Sequence, residues 1–315
     1  MTALDPGNDL QGVAEFRSNI DSADRDWNRD LERLLDSSAQ LSYDPDKEVD
    51  WAAPLDETKY GLNPEWSTLF GTKMWDEMSE AQRIALTRHE VGSIMSTGIW
   101  FETMLQSMIL RSQYSADYGD PEFRFALTEI ADECRHSLMF SKTCTKMGVP
   151  HYRPIRAYHE LARTFRVLAP SDQSYAAILV AEELLDIMQR DWMRGENVLI
   201  EVRTTSKIHV VEEARHMKFA RMEIMEHLKG KSKPGRHLSA LVTSVVAAII
   251  VDTLVNADVY ANVGLDPRRA KEEAKNNTHH QNLLRMSCVH LMDFLAEAKL
   301  LTPSAMKVYR SVHML

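Results

Sequence analysis

From Ser79 onward, apolar residues recur every three or four positions along most of the chain, which is the period of an amphipathic helix. Ser79 and Gln82 have the spacing of a capping box and predict the start of a long helix that ends near Tyr118. Further helices are predicted over about 121–147, within 151–170, and over 171–202, 204–229, 236–262, 267–275 and 278–298. No segment alternates polar and apolar residues between turn signals, so the pattern predicts an all-α protein.

The chain before Ser79 has a different pattern, because it holds much of the Pro, Gly and Asp. We predict one charged helix from Asn19 to Leu41 and an extended, Pro-punctuated segment from Asp44 to Asn63. The most apolar run, Leu238 to Leu254, is short for a membrane span and contains Ser, Thr and Asp. It therefore predicts a core helix that is buried on several sides.

These elements predict one domain over residues 1–315. Residues 1–78 form an N-terminal wrap, residues 79–230 form a four-helix bundle, and residues 235–315 form helices that cap it. Two helices of about 30 residues span about 45 Å each, which is enough for a large bundle. The capping helices are expected to close a substrate pocket against the bundle.

The two halves of the predicted bundle carry the same sequence motif of Glu and His residues. In each half, a lone Glu is followed 31 residues later by a second Glu, and three residues after that by a His. The first copy is Glu102, Glu133 and His136, and the second copy is Glu182, Glu213 and His216. Two Glu-x-x-His pairs with two further Glu residues are the set with which a helix bundle holds two metal ions.

Helical geometry places these side chains on interior faces. Residues three, four and seven apart share a face, so His209, which is four residues before Glu213, joins the second pair. Glu102 and Glu182 each lie among apolar residues at helical spacing, where an ionised carboxylate is costly unless it is paired or bound to a metal. Mixed carboxylate and imidazole ligands suit iron, and they leave manganese open. We therefore predict two metal ions held by the seven residues Glu102, Glu133, His136, Glu182, His209, Glu213 and His216.

Four charged residues flank the predicted ligands without sharing their face: Asp132, Arg135, Glu212 and Arg215. They are candidates for an outer layer that orients the ligand imidazoles and balances charge. The alternative is ordinary ion pairing between helices, and the sequence leaves both interpretations open.

Net charge, cysteine content and the N-terminal residues indicate which partners and which cellular compartment to expect. The net charge of −9 argues against a nucleic-acid surface and gives no reason to expect an anionic membrane partner. Three cysteines without a Cys-x-x-Cys pattern favour a reducing compartment. The first residues lack the basic and apolar regions of a signal peptide, so we expect a cytoplasmic protein.

The repeated Glu and His motif resembles that of the carboxylate-bridged di-iron proteins of the ferritin-like superfamily. With the additional His209, the chain resembles more specifically the p-aminobenzoate N-oxygenase (AurF) family. The resemblance implies a ferritin-like four-helix bundle with additional N- and C-terminal helices, two iron ions and the seven ligands named above. It also implies O2 activation through a peroxo-diferric species and oxidation of an arylamine towards a nitro product. We expect a small-molecule amine as substrate, a homodimer and an external reductase, because the chain carries no flavin or nicotinamide motif.

Three other interpretations remain. A ferroxidase or storage protein needs little beyond four helices, whereas this chain has about 75 residues before the predicted bundle and about 85 after it. The ribonucleotide reductase small subunit, which resembles this chain in the repeated motif, places a Tyr where this chain has Phe140. A metal-free interaction bundle leaves Glu102 and Glu182 buried and unpaired.

Overall fold

A computed structural model describes residues 27–315 of the chain, and fourteen α-helices lie in that part. The helices are α1 Trp27–Gln40, α2 Pro45–Glu48, α3 Lys73–Glu77, α4 Glu80–Ser112, α5 Pro121–Met147, α6 Arg156–Leu168, α7 Ser171–Trp192, α8 Ile200–Leu228, α9 Lys233–Leu254, α10 Asp258–Asn262, α11 Pro267–Asn276, α12 Thr278–Ser287, α13 Val289–Glu297 and α14 Pro303–Ser311. Residues 27–315 contain no strand, only one isolated bridge between Tyr60 and Val198. The prediction of an all-α protein is confirmed.

Helices α4, α5, α7 and α8 form the bundle, with α4 packed on α5 and α7 packed on α8. Local sequence sets several of the helix ends. The side chains of Ser79 and Gln82 form the predicted capping box at the start of α4. Gly148 ends α5 in the left-handed conformation at φ 68°, where a Cβ atom would be strained.

The third bundle helix ends ten residues earlier than predicted, at Trp192 rather than Val202. The segment between α7 and α8 pairs with the N-terminal wrap instead. The Tyr60 amide donates to the Asn197 carbonyl, and the Leu199 amide donates to the Tyr60 carbonyl. A Cβ atom on Gly195 would meet the Asn63 side chain and would lie 2.7 Å from Val198 Cγ2, so a larger residue here would force these side chains to move. Contacts between distant segments therefore end α7.

The N-terminal wrap covers the outer side of α5 and α8. Helix α1 packs on both of them and buries Leu31 and Leu34 completely. It begins at Trp27, whereas the predicted helix begins at Asn19, so residues 19–26 of that prediction lie outside the described part. Further along the wrap, the Lys146 ammonium group donates to the Trp51 carbonyl across 3.0 Å.

Helix α9 buries only part of its apolar surface. Its small residues, including Ala240, Ser244 and Ala247, are buried, whereas Leu238 and Val245 are 55% and 42% exposed. Helix α9 packs on α4, α7 and α14, and small side chains permit short distances between helix axes. The helix is therefore buried against three neighbours, as predicted, but one of its apolar faces stays partly exposed.

By length and composition alone, the stretch Lys233–Asn262 is apolar enough to cross a membrane, and 44% of its most apolar window is buried inside the protein. Core helices pass the same test, so this is weak evidence for a span. The larger side chains of α9 line a cavity of about 430 Å³ between α9, α6 and α4, with Val242, Val246 and Ile249 on one wall and Phe165 on the other.

Removing residues 230–315 deletes α9 to α14, which pack on α7 and on one another. We expect fragment 1–229 to unfold without cooperativity and to aggregate, because its newly exposed surface is apolar. Calorimetry and size-exclusion chromatography of the fragment and the full chain measure this. A soluble fragment that unfolds cooperatively and retains two metal ions would contradict the expectation.

Candidate metal centre

The seven predicted ligands converge in the interior of the bundle. Helix α4 carries Glu102, α5 carries Glu133 and His136, α7 carries Glu182, and α8 carries His209, Glu213 and His216. None of these residues is more than 4% exposed. Three groups bring their ligand atoms within 4.8 Å of one another: Glu102, His136 and His209; Glu133, His136 and Glu213; and Glu182, His209 and Glu213.

Glu133 and Glu213 lie between the two motif histidines. His136 Nδ1 is 3.3 Å from Glu133 Oε2 and 3.1 Å from Glu213 Oε1. His216 Nδ1 is 3.3 Å from Glu133 Oε1 and 3.1 Å from Glu213 Oε2. Each carboxylate thus offers one oxygen to each histidine, so both carboxylates could be shared between two metal ions.

His209 lies beside the same cluster. Its Nε2 atom is 3.8 Å from Glu102 Oε1, 3.9 Å from Glu182 Oε2 and 3.7 Å from Glu213 Oε1. Its ring also lies 4.8 Å from the His136 ring and 5.0 Å from the Phe140 ring, between centroids. The third imidazole is therefore positioned on the His136 side of the cluster.

A second layer of hydrogen bonds fixes the two motif histidines, and it crosses between helices. His136 Nε2 on α5 lies 2.7 Å from Glu212 Oε2 on α8, and His216 Nε2 on α8 lies 3.2 Å from Asp132 Oδ2 on α5. The acid of each motif therefore holds the imidazole of the other. Such partners fix the tautomer of a ligand histidine and leave the opposite nitrogen directed at the metal position.

The two arginines pair with the same acids. Arg135 donates to Asp132 and lies 3.4 Å from Glu212, while Arg215 Nη2 lies 3.4 Å from Asp132 Oδ2. The N-terminal wrap completes the layer, because the Tyr43 amide donates to Glu212 and Arg215 donates to the Leu41 carbonyl. The geometry supports the interpretation as an outer layer.

Two residues at the centre were missed from the sequence. Gln189 Oε1 lies 2.7 Å from His209 Nδ1, and its place seven residues after Glu182 on the same face of α7 was the available signal. Glu129 lies one turn before Glu133 and offers a ligand atom within 4.8 Å of those of Glu133 and His216. By contrast, Cys134 is exposed and lies apart from the cluster, as its position in the sequence indicates.

Burial and the neighbouring charges shift the pKa values of these groups. Burial raises the pKa values of Glu102 and Glu182. Burial also opposes charge on His136 and His216, but the carboxylates around them raise the pKa of each imidazole well above its usual value. For Glu213, His216 and His209 outweigh burial and lower the pKa of the carboxyl group.

These residues fit a pair of divalent metal ions. Glu182 Oε2 is buried and has no hydrogen-bond partner among the described residues. The four ligand glutamates carry four negative charges, which two divalent ions balance. Bound metal displaces the protons of the histidines and carboxyl groups and so removes the cost of burying them.

A comparison with protein families matches residues 24–299 to the family described as P-aminobenzoate N-oxygenase AurF. Among curated proteins, the chain is 25% identical over 253 residues to an uncharacterized protein, MT0908, of Mycobacterium tuberculosis (strain CDC 1551 / Oshkosh), covering 77% of this chain and 74% of that protein.

It is also 26% identical over 226 residues to the uncharacterized protein Rv0885 of Mycobacterium tuberculosis (strain ATCC 25618 / H37Rv), covering 69% of this chain and 66% of that protein. These relatives carry no described activity, whereas the family match covers the whole bundle and most of its surroundings. The resemblance deduced from the doubled motif is confirmed, and the chain belongs to the p-aminobenzoate N-oxygenase family of di-iron oxygenases.

Proposed function

We propose that this protein is a non-haem di-iron oxygenase that oxidises the nitrogen of a small amine, with an arylamine as the first candidate. The observation that carries the proposal is the third imidazole, His209, which lies beside Glu213, one of the two carboxylates that face both motif histidines. The family match over residues 24–299 supports the reaction class. The seven residues predicted from the sequence are the proposed ligands.

Iron held by these seven residues would supply the chemistry that reduces O2 so that an oxygen atom can be transferred to the amine nitrogen. The first oxidation converts an amine, O2, two electrons and two protons into a hydroxylamine and water. We propose that an external reductase delivers the two electrons. The protein orients the ligand side chains and keeps water out of the buried centre. Glu212 orients the His136 imidazole, and Asp132 orients that of His216. Gln189 orients the His209 imidazole.

A cavity of about 340 Å³ lies between α4, α7 and the C-terminal helices, and we propose that it admits the substrate. Its wall includes Trp66, Ile94, Met188 and Trp192. Ile94 precedes Glu102 by eight residues on α4, and Met188 follows Glu182 by six on α7, which correspond to about 12 Å and about 9 Å along the helix axes. We propose that a substrate in this cavity extends along α4 and α7 towards the ligand residues.

Glu90 gives this cavity a polar group far from the metal centre. The Thr68 amide and hydroxyl both donate to Glu90 Oε1, across 2.8 Å and 2.6 Å, whereas Oε2 has no partner among the described residues. Burial raises the pKa of Glu90 to about 7. Glu90 Oε2 is therefore available to a polar group that enters this cavity.

The proposed centre predicts that iron reconstitution gives two tightly bound ions per chain. Reduced protein mixed with O2 and p-aminobenzoate should then form N-oxygenated products that mass spectrometry detects. A ferroxidase would oxidise added Fe²⁺ without altering the amine. Binding of one ion or none, or turnover of Fe²⁺ alone, would contradict the proposal.

Replacing His209 with Ala should leave the fold intact and some iron bound, but reduce amine oxidation by at least about tenfold, because one imidazole leaves the centre. The matched control is His159→Ala, since His159 is exposed on α6. Iron content and product yield are measured for both variants. Unchanged turnover in the His209 variant would remove this residue from the proposed centre.

Glu90→Gln tests the environment of the cavity. With a folded-state pKa of about 7 against an ordinary value of 4.5, Glu90 favours folding when protonated and opposes it when ionised. From about pH 4 to about pH 8, wild type should therefore lose about 3 kcal/mol of stability relative to the variant. Chemical denaturation across this range measures the difference, with Glu297→Gln on the surface as control. If the stabilities of wild type and Glu90→Gln change in parallel with pH, the raised pKa of Glu90 would be disproved.

A further inference from the structure

The repeat in the sequence extends one position further than the seven-ligand set. His209 lies four residues before Glu213 on α8, and Glu129 lies four residues before Glu133 on α5. The two helices thus carry Glu-x3-Glu-x2-His and His-x3-Glu-x2-His. Because residues four and seven apart share a helix face, Glu129 occupies on α5 the place that His209 occupies on α8.

The structure places Glu129 against the His216 side of the cluster. Its carboxyl group offers an oxygen within 4.8 Å of ligand atoms of Glu133 and His216. Its side chain is completely buried, and neither oxygen has a hydrogen-bond partner among the described residues. A buried carboxylate without a partner is costly, so it either holds a proton or binds a cation.

In the described part of the chain, the charged side chains near Glu129 do not form an ion pair with its carboxyl group. Glu223, also buried and nearby in the bundle, has one oxygen 3.2 Å from His227 Nε2 and lies outside every group that can hold a metal among the described residues. Arg135 and Arg215 pair with Asp132 rather than Glu129. Among the groups that can hold a metal, Glu129 therefore joins the one formed with Glu133 and His216.

We propose that Glu129 is an additional carboxylate ligand of the metal ion on the His216 side, the counterpart of His209 on the His136 side. The inference rests on the metal centre proposed above, but it does not depend on the oxygenase reaction. It makes the two metal positions unequal. The His136 position has two imidazoles, whereas the His216 position has one imidazole and an extra carboxylate.

This inequality has a chemical consequence. Imidazole ligands suit Zn²⁺ and Fe²⁺, whereas carboxylate ligands suit Mn²⁺. The His216 position should therefore bind Mn²⁺ more tightly than the His136 position does. An extra negative charge also stabilises a higher metal oxidation state at this position.

The test is Mn²⁺ binding to the full-length apoprotein, followed by electron paramagnetic resonance of free Mn²⁺. Wild type should bind two ions in two steps. Glu129→Gln should weaken the tighter step by at least about tenfold and leave the other within about twofold. The matched control, Glu223→Gln, also neutralises a buried carboxyl group but should leave both steps unchanged.

Thermal unfolding of the metal-free variants separates a ligand from a structural group. Metal-free Glu129→Gln should be at least as stable as wild type, because the variant removes an unpaired buried carboxyl group. If Glu129→Gln does not fold, anomalous diffraction from Mn²⁺-loaded wild-type crystals shows whether Glu129 coordinates the metal. A Glu129 oxygen in the coordination sphere supports the proposal.

Two unchanged binding steps in Glu129→Gln, or a Glu129 carboxyl group outside the coordination sphere, would overturn the assignment of Glu129 alone. Failure of wild type to bind any metal would instead remove the di-metal centre on which the proposed function rests. The two failures are therefore distinguishable.

Discussion

The burial of carboxyl groups inside the bundle is the constraint on which the rest of the structure depends. Glu102, Glu133, Glu182 and Glu213 come from four helices, and each is at most 4% exposed. No lysine or arginine among the described residues forms an ion pair with any of these four. Isolated charges at that depth are unstable, so the bundle requires protons or metal cations at its centre.

The outer layer shows how the protein directs the histidines. Because Glu212 holds His136 and Asp132 holds His216, α5 and α8 fix each other's imidazoles. A shift of one helix along the other would break both contacts together. The salt bridges of Arg135 and the contacts from Tyr43 and Leu41 extend this arrangement into the N-terminal wrap. The wrap therefore belongs to the positioning of the centre as well as to the fold.

The proposed substrate cavity is lined in part by segments outside the four bundle helices. Residues of the wrap, α9 and the last helices line the cavity that contains Glu90. On a different side, α9 exposes larger apolar residues into the cavity beside α6. Helix α9 thus has a small-residue face for packing and a larger-residue face for lining a cavity. This division explains why a helix with apolar residues on nearly every face is only partly buried.

The sequence by itself determined the all-α class, most helix starts and the identity of the seven converging residues, because these follow from local periodicity and capping. The Ser79 capping box is formed as predicted, and the doubled spacing of Glu and His brings those side chains to one place. Only the tertiary structure decided the end of α7 at Trp192, the crossing of Asp132 and Glu212 between helices, and the position of Glu129. Each of these depends on how distant helices are set against one another. Helical period fixes the face on which a residue lies, but it does not fix the partner that this face meets.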